Sequence, residues 1–503
     1  MADESGLSPY VFACEGGLIL DQSTFAITPG SALELENFEP AVTGGYRRIS
    51  GYEKWNSNIV PQDTSSTEKV LMSAYFNASV IAARGTKVYK AGSGSGSWTQ
   101  IDSGRTNAGR YTHFRYSLAG TDFIVWADGA NHASKYDGTT VTDLNSTGAP
   151  ANPQYVVNFK NALFFAGHSA NPEEIVFTAP YSDSDFSVAN GAGSIAVNSK
   201  ITGLYSFRNE LYIFCEERIF KLAGNTSADF VLQSVTREIG CVNGFTIQEF
   251  AGDLIFLGAD GLRTIAGTEK IGDVELGTIS RQIQERFVGL TNVDEFCSLV
   301  IPDKTQYRIF FSKPNSTAEN TATGVIAVRK AQGYEFAKLK GVQPASTDSA
   351  SVQGTTYVIH GGYDGYVYRQ EQGNKFDTRN IIGRYRSPDI TAGDAGIRKN
   401  FQRVIINYSP TGTVNSDLFL RYDYEDPNAP RPAAYPFDST KVVAIYGTSL
   451  YNTATYGGQT NPLVRQPVEG SSFAVALRVV DNAESSPYSL KGFQLEFDAG
   501  ARR

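Results

Sequence analysis

Apolar residues along this chain come in short runs that double back on themselves. An apolar strand meets a tight turn, a second apolar strand returns, and a Gly-containing turn often leads into a third. The copies read LMSAYFNASVIAARG from Leu71, HFRYSLAGTDFIVWADG from His113, YVVNFKNALFFAG from Tyr155 and LYSFRNELYIFCEERIF from Leu204. They continue as FTIQEFAGDLIFLGADG from Phe245, FCSLVIPDKTQYRIFF from Phe296 and SVQGTTYVIHGGYDG from Ser351. The turns fall at Asn77, Gly120, Asn161, Asn209, Gly252, Thr305 and Gly354, with successive spacings of 43, 41, 48, 43, 53 and 49 residues. Several short strands recurring at such a period predict a β-propeller, because one small sheet buries its faces only when stacked against its neighbours.

The rest of the pattern divides the chain into three. Residues 1–66 read as an extended lead-in of short apolar pieces and glycine turns, including GGYRRISGYEKW. Residues 67–380 hold the repeats, and are expected to form a propeller of about six or seven blades. Asp128-Gly129, Asp137-Gly138, Asp260-Gly261 and Asp364-Gly365 mark tight turns there. One helix is predicted inside the repeats, at Thr278 to Leu290, where Ile279, Ile283, Phe287 and Leu290 fall on one face. Residues 381–503 change character. Phe473, Val475, Leu477 and Val479 alternate with smaller or polar residues, as do Phe493, Leu495 and Phe497 with Gln494 and Glu496. Such alternation predicts an antiparallel, sandwich-like domain with one buried face per sheet. EDPNAPRPAAYPFD and YGTSLYNTATYGGQ read as long excursions from it. The expected fold is mainly β, a propeller followed by a β-sandwich-like C-terminal domain, with few helices.

Composition supports this picture. The 503 residues exceed what one core accommodates, and Tyr (27), Phe (30) and Gly (49) suit strands joined by tight turns. A formal charge of −8 argues against a protein that grips nucleic acid by its phosphates. It leaves room for one that nucleic acid slides past. Cys14, Cys215, Cys241 and Cys297 form no CxxC pair and read as reduced structural thiols. The acidic start MADESGLSPY lacks the apolar core of a secretory signal, and no run reaches the ~20 apolar residues that span a bilayer. The expectation is a soluble protein made in a cytosol.

The residues that carry chemistry in other proteins fall here into scaffold patterns. His113, His132, His168 and His360 show no ligand spacing, so no metal is expected. No nucleophile elbow is present, and GSGSGSW from Gly92 reads as a hairpin connection because it lacks the lysine of a phosphate loop. Asp122, Asp128, Asp253, Asp260 and Asp364 sit near strand ends, where a glycosidase would place paired carboxylates, but most lie in Asp-Gly or Gly-Asp turns that favour Asp for local hydrogen bonding. Trp98, Trp126, Tyr363 and Tyr366 have the faces to stack on sugars, with packing the plainer reading. The pair Arg47-Arg48 reads as solvated or at an interface. No catalytic, cofactor-binding or metal residues are assigned.

Five segments in order resemble the tail hub, or nozzle, proteins of short-tailed bacteriophages. They are ALELENFEPAVTGGYRRISGY, SFRNELYIFCEERIFKL, REIGCVNGFTIQEFAGDLIFLGADGLRTI, TISRQIQERF, and the C-terminal pair SSFAVALRVV and GFQLEF. The resemblance spans nearly the whole chain, and the Tyr/Gly excursion has no counterpart in it. It implies a structural virion protein of the tail and no enzyme, made in the host bacterial cytoplasm. It further implies a homo-hexameric ring below the portal and its head-tail adaptor ring, enclosing the channel through which genomic DNA leaves, with tailspikes or fibres and a needle or plug as partners. No cofactor belongs to that role. The alternative readings are a carbohydrate-binding or carbohydrate-cleaving propeller (a receptor-binding tail component), a cellular propeller scaffold, and a ring protein of a long-tailed phage. The Gly-His and Trp-Asp signatures of the common cellular propellers are absent from the repeats.

Overall fold

The computed structural model describes residues 7–24, 26–62, 69–107, 109–267, 278–311, 323–331, 333–426, 429, 431–438 and 463–500, with backbone alone at 268–270 and 501–502. The Tyr/Gly excursion and the first six residues lie outside these.

The protein is mainly β, and a propeller forms its centre. Blade I consists of Met72–Phe76, Ser79–Arg84, Lys87–Ala91 and Thr99–Asp102. Blade II runs from Thr112–Leu118 to Val141–Asp143, blade III from Tyr155–Phe159 to Gly193–Ala196, and blade IV from Ile201–Phe207 to Val231–Thr236, each a four-stranded antiparallel sheet. Sheet V has three strands, Gln248–Phe250, Asp253–Gly258 and Gly261–Thr264. Blade VI comprises Cys297–Ile301, Gln306–Phe311, Thr323–Lys330 and Gly333–Lys340. Blade VII takes Pro344–Val352, Thr355–Gly362 and Val367–Gln370 from the repeats and its fourth strand, Tyr52–Lys54, from the lead-in. Six four-stranded blades and one three-stranded sheet thus close a ring, and the lead-in strand fastens it.

The turns between the first two strands of each sheet explain the repeat. Residues in left-handed conformation occupy them in pairs: Asn77 and Ala78, Ala119 and Gly120, Lys160 and Asn161, Arg208 and Asn209, Ala251 and Gly252, Gln353 and Gly354. Paired positive φ values between directly opposed strand ends, such as Phe159 and Ala162, define the turn whose twist matches the strands it joins. At the remaining hairpin, in blade VI, a short 3-10 turn, Pro302–Lys304, precedes left-handed Thr305. Between sheets the packing is apolar. Trp126 and Ile124 of blade II meet Met72 and Ile81 of blade I, and Phe164 and Val157 of blade III meet Ile213 and Leu211 of blade IV.

The C-terminal strands form two packed sheets. In one, Gly383–Arg386, Val475–Asp481, Asn415–Tyr422 and Tyr435–Asp438 lie side by side. In the other, Tyr488–Arg502 and Ile397–Pro410 are flanked by Leu463–Pro467 and by lead-in strands Ser8–Ala13 and Tyr46–Arg48. Tyr385 stacks on Phe493 across the gap at 5.7 Å, and Phe401 on Tyr422 at 6.0 Å. The alternation read from the sequence holds for Phe493, Leu495 and Phe497, which are buried while Gln494 and Glu496 are partly exposed; on the other strand Val475, Leu477 and Val479 are buried, but so are Ala474 and Ala476, and Phe473 is only half-buried, so that strand has no clean wet face.

Propeller and C-terminal strands share backbone. Glu34–Glu36 pairs in parallel with the last strand of blade VI and antiparallel with Gly383–Arg386, making one nine-stranded sheet from the propeller axis to the far edge of the C-terminal domain.

One predicted element is corrected. Residues 278–290 form no α-helix; a 3-10 helix spans Arg281–Arg286 and is kinked at Ile283, where φ is −127°. Leu20 N–H donates to the Gln282 carbonyl at 2.8 Å, removing the acceptor that a helical Arg286 N–H would need. The apolar face survives, since Ile283 and Phe287 are buried. No described helix is long and apolar enough to cross a membrane.

Candidate functional site

The first strands of all seven sheets converge on an axial cavity of about 470 Å³. Its wall carries the polar residues that alternate with core residues on these strands, among them His113, Arg115, Glu249 and Asp348. Where the inner strands begin, Arg110 lines the cavity. Its guanidinium donates to the carbonyls of Glu295 and Phe296 at 2.5 Å each and lies 4.6 Å from the centre of the Phe245 ring. The Glu295 carboxylate accepts from Lys69 Nζ and from the Tyr363 hydroxyl, each at 3.0 Å. Burial raises its proton affinity, but Lys69 and Arg110 hold it below the usual carboxylate range.

Farther along the axis, Asp348 joins three sheets. It accepts from Tyr75 N–H of blade I at 2.7 Å, lies 3.2 Å from His113 Nε2 of blade II, and pairs with the Arg115 guanidinium. Arg115 Nε in turn donates to the Tyr75 carbonyl at 2.7 Å. Burial favours protonation of Asp348, but Arg115 and His113 outweigh it and keep the carboxyl well below its ordinary range. A carboxylate so engaged is a tie between blades and has no proton to give.

The residues singled out by the sequence resolve individually. The Asp-Gly residues perform turn chemistry: Asp137 accepts from Thr139 and Thr140 N–H at 2.7 Å, and Asp128 accepts from Ala130 and Asn131 N–H while pairing with buried Arg105 at 2.9 Å. Asp260 pairs with Arg263, Asp253 accepts from Ala266 N–H, and Asp364 accepts from Tyr366 N–H and the Tyr368 hydroxyl. Trp98 and Trp126 are buried and Tyr363 and Tyr366 half-buried, so these aromatics pack rather than stand free. The stretch from Gly92 joins the last two strands of blade I. All four cysteines are buried thiols; burial pushes the Cys215 thiol up to about 11 and Cys241 to about 12, which leaves those two unreactive. Among the described residues no three or more His, Cys, Asp or Glu side chains are placed to hold a metal ion.

Arg48 is the exception to the expectation of a solvated or interface pair. It is wholly buried against Asp481 at 3.1 Å. Sequence reasoning also misses Asp348, His113 and Arg115 as a group. The local signal is present, since His113 and Arg115 are polar residues two apart on one face of an otherwise aromatic strand.

No family model matches the chain, and no curated protein matches it significantly. Solved structures give distant matches only. The extracellular domain of a one-component system from B. thetaiotaomicron is 7% identical with a TM-score of 0.41, and the match covers 63% of this chain and 40% of that one. The WD40 domain of Pan2 from Neurospora crassa is 6% identical with a TM-score of 0.37, covering 65% and 98%. An exo-β-1,3-galactanase from Phanerochaete chrysosporium is 8% identical with a TM-score of 0.25, covering 90% and 100%. Likenesses this distant carry no functional argument.

Proposed function

We propose that the chain is a structural virion protein, the hub or nozzle subunit of a short-tailed phage tail. In this reading copies form a ring below the portal and adaptor, the ring encloses the DNA exit path, and spikes or fibres attach to it. The observation that supports it most is the continuity of the protomer. Lead-in, propeller and C-terminal strands are joined through one nine-stranded sheet, and buried ion pairs tie the remaining joints. A ring that withstands packaged DNA needs protomers that do not hinge, and heterologous contacts close such a ring by rotation. The axial cavity of about 470 Å³ is far too small for a duplex, so the DNA path runs between copies and not through a propeller. An acidic chain suits that path, because an acidic wall repels the phosphates and lets them slide. The saturation of Asp348 weighs against a sugar-cleaving centre on the axis, which needs a carboxylic acid and a carboxylate free to act on the bond.

Disrupting the gene in the phage that carries it tests the reading. The expected result is DNA-filled or leaking heads without complete tails, restored to infectivity by a plasmid copy. Normal tailed, infectious particles from the disrupted phage would contradict it.

A further inference from the structure

The outer rim of the propeller leaves one long strand edge uncovered among the described residues. Val231–Thr236 is the last strand of blade IV and pairs on one side only, with Ile219–Ala223. Its sequence, VLQSVT, holds no charge, no proline and no glycine. The other outer edges are shorter or covered. Thr99–Asp102, Val141–Asp143 and Gly193–Ala196 span four, three and four residues, and the first two end on an aspartate. At sheet V, Ile279 N–H donates to the Leu262 carbonyl at 2.9 Å. The last strand of blade VI pairs with Glu34–Glu36, and that of blade VII with Phe376. Short length, charge and cover keep sheet edges from recruiting other strands. The edge of blade IV has none of these.

Beside it runs an apolar groove of about 380 Å³ along the outer strands of blades III and IV. Phe177, Ile195, Leu222, Phe230 and Leu232 wall the groove, and its described lining carries no charge. Val188 of the lining is 79% exposed, and Val231 on the strand is 53% exposed. Leu232 belongs to both groove and edge strand, so a strand added there lays alternate side chains over the groove. Main-chain hydrogen bonds then give affinity, and the groove gives specificity.

The chain carries a segment suited to this edge. Residues 439–462 lie outside the described residues and include VVAIY at Val442–Tyr446, an uncharged run rich in β-forming side chains. They leave from Asp438 and return at Leu463, the ends of two neighbouring strands, so the excursion is anchored at one place. Half its length, extended, spans roughly 40 Å. A head-to-tail ring needs one surface of each copy to meet a different surface of the next, and an arm laid on a blade edge is such a contact. We propose that the outer edge of blade IV docks a second copy of this chain, whose residues 439–462 supply the added strand through Val442–Tyr446. The ring reading supplies the second copy, and this joint rests on it.

Cross-linking in phage particles tests it, with the chain supplied from a plasmid to the disrupted phage. The double variant Val231→Cys/Ile445→Cys is treated with a short bismaleimide beside each single variant; the four native thiols are buried. A ladder of linked copies from the double variant, and none from either single variant, is the expected result. Chain present in particles with no ladder, or linked only within one copy, overturns the proposal and leaves the ring reading standing. Chain absent from particles overturns the ring reading, and the joint with it. Val231→Asp puts a charge on the edge at a residue outside the core. It is expected to keep the thermal stability of the purified chain and to lower incorporation into particles about tenfold or more. Full incorporation of Val231→Asp overturns the proposal.

Discussion

Arg48 and Asp481 meet at 3.1 Å with both side chains wholly excluded from solvent. Arg48 belongs to a lead-in strand and Asp481 ends a C-terminal one. The guanidinium also donates to the carbonyls of Ser485 at 2.7 Å, Ala483 at 3.0 Å and Ile381 at 3.1 Å, and Asp481 accepts from Ser416 Oγ at 3.2 Å. Burial lowers the proton affinity of Arg48 and raises that of Asp481, so each depends on the other to stay charged. Removing one partner is costly because the survivor is left buried and uncompensated. Arg48→Ala is expected to destabilise the chain by about 3–5 kcal/mol. Arg48→Met with Asp481→Leu should recover much of that loss. Thermal unfolding of the three proteins checks it, and an Arg48→Ala within about 1 kcal/mol of wild type, the effect of an exposed pair, would refute it.

Acid should loosen blade VII first. His360 is buried, stacks on Tyr368 at 5.1 Å, and is held neutral by burial with its pKa lowered to about 3 from 6.5. The unfolded chain therefore binds the extra proton across that window, so stability falls as pH drops from about 6.5 toward 3. Glu371 adds to the lower part. Burial alone would raise it, but Arg308 and Lys304 bring it down to about 2 from 4.5, and its contribution is lost as pH falls through that range. Denaturant midpoints measured from about pH 7 to pH 4 should decline, and His360→Phe should flatten the decline above about pH 5. An unchanged slope in that variant would show that other groups carry it.

Closure of the ring depends on three lead-in residues. Tyr52, Glu53 and Lys54 pair with Gln370, Arg369 and Tyr368. Without them the edge of blade VII is bare, and bare edges recruit other chains. A chain in which Tyr52–Lys54 is replaced by Gly-Pro-Gly, with Arg48 and the other lead-in strands kept, is expected to aggregate or lose stability. Light scattering and circular dichroism read both outcomes.

At the blade III hairpin, Lys160 and Asn161 have φ values of 49° and 60°. Asn adopts this region at little cost, whereas a β-branched residue is strained in it. Asn161→Val should cost about 1–3 kcal/mol, and Asn161→Gly should be neutral or mildly stabilising. Urea midpoints of the pair decide it.

The propeller is legible in the sequence because its signal is local. A turn that demands two positive φ values selects Asn and Gly, and these recur next to apolar strands. The same locality exposes the alternation from Phe493 to Phe497. What joins the parts is not legible. Tyr52–Lys54 and Glu34–Glu36 are three residues each, too short for any period, and their pairing is fixed by partners hundreds of residues away. Residues 278–290 carry a helical apolar period, yet tertiary hydrogen bonds to Gln282 set their backbone. Arg48 looks like a surface charge because nothing near it in sequence announces Asp481.

The central claim is that this rigid protomer is built to stand in a ring. Electron cryo-microscopy of purified phage particles tests it most directly. The account predicts density for the chain as a sixfold ring at the base of a short tail, with the DNA path between protomers and each propeller axis closed. The chain found only on peripheral spikes, or absent from particles, would contradict it.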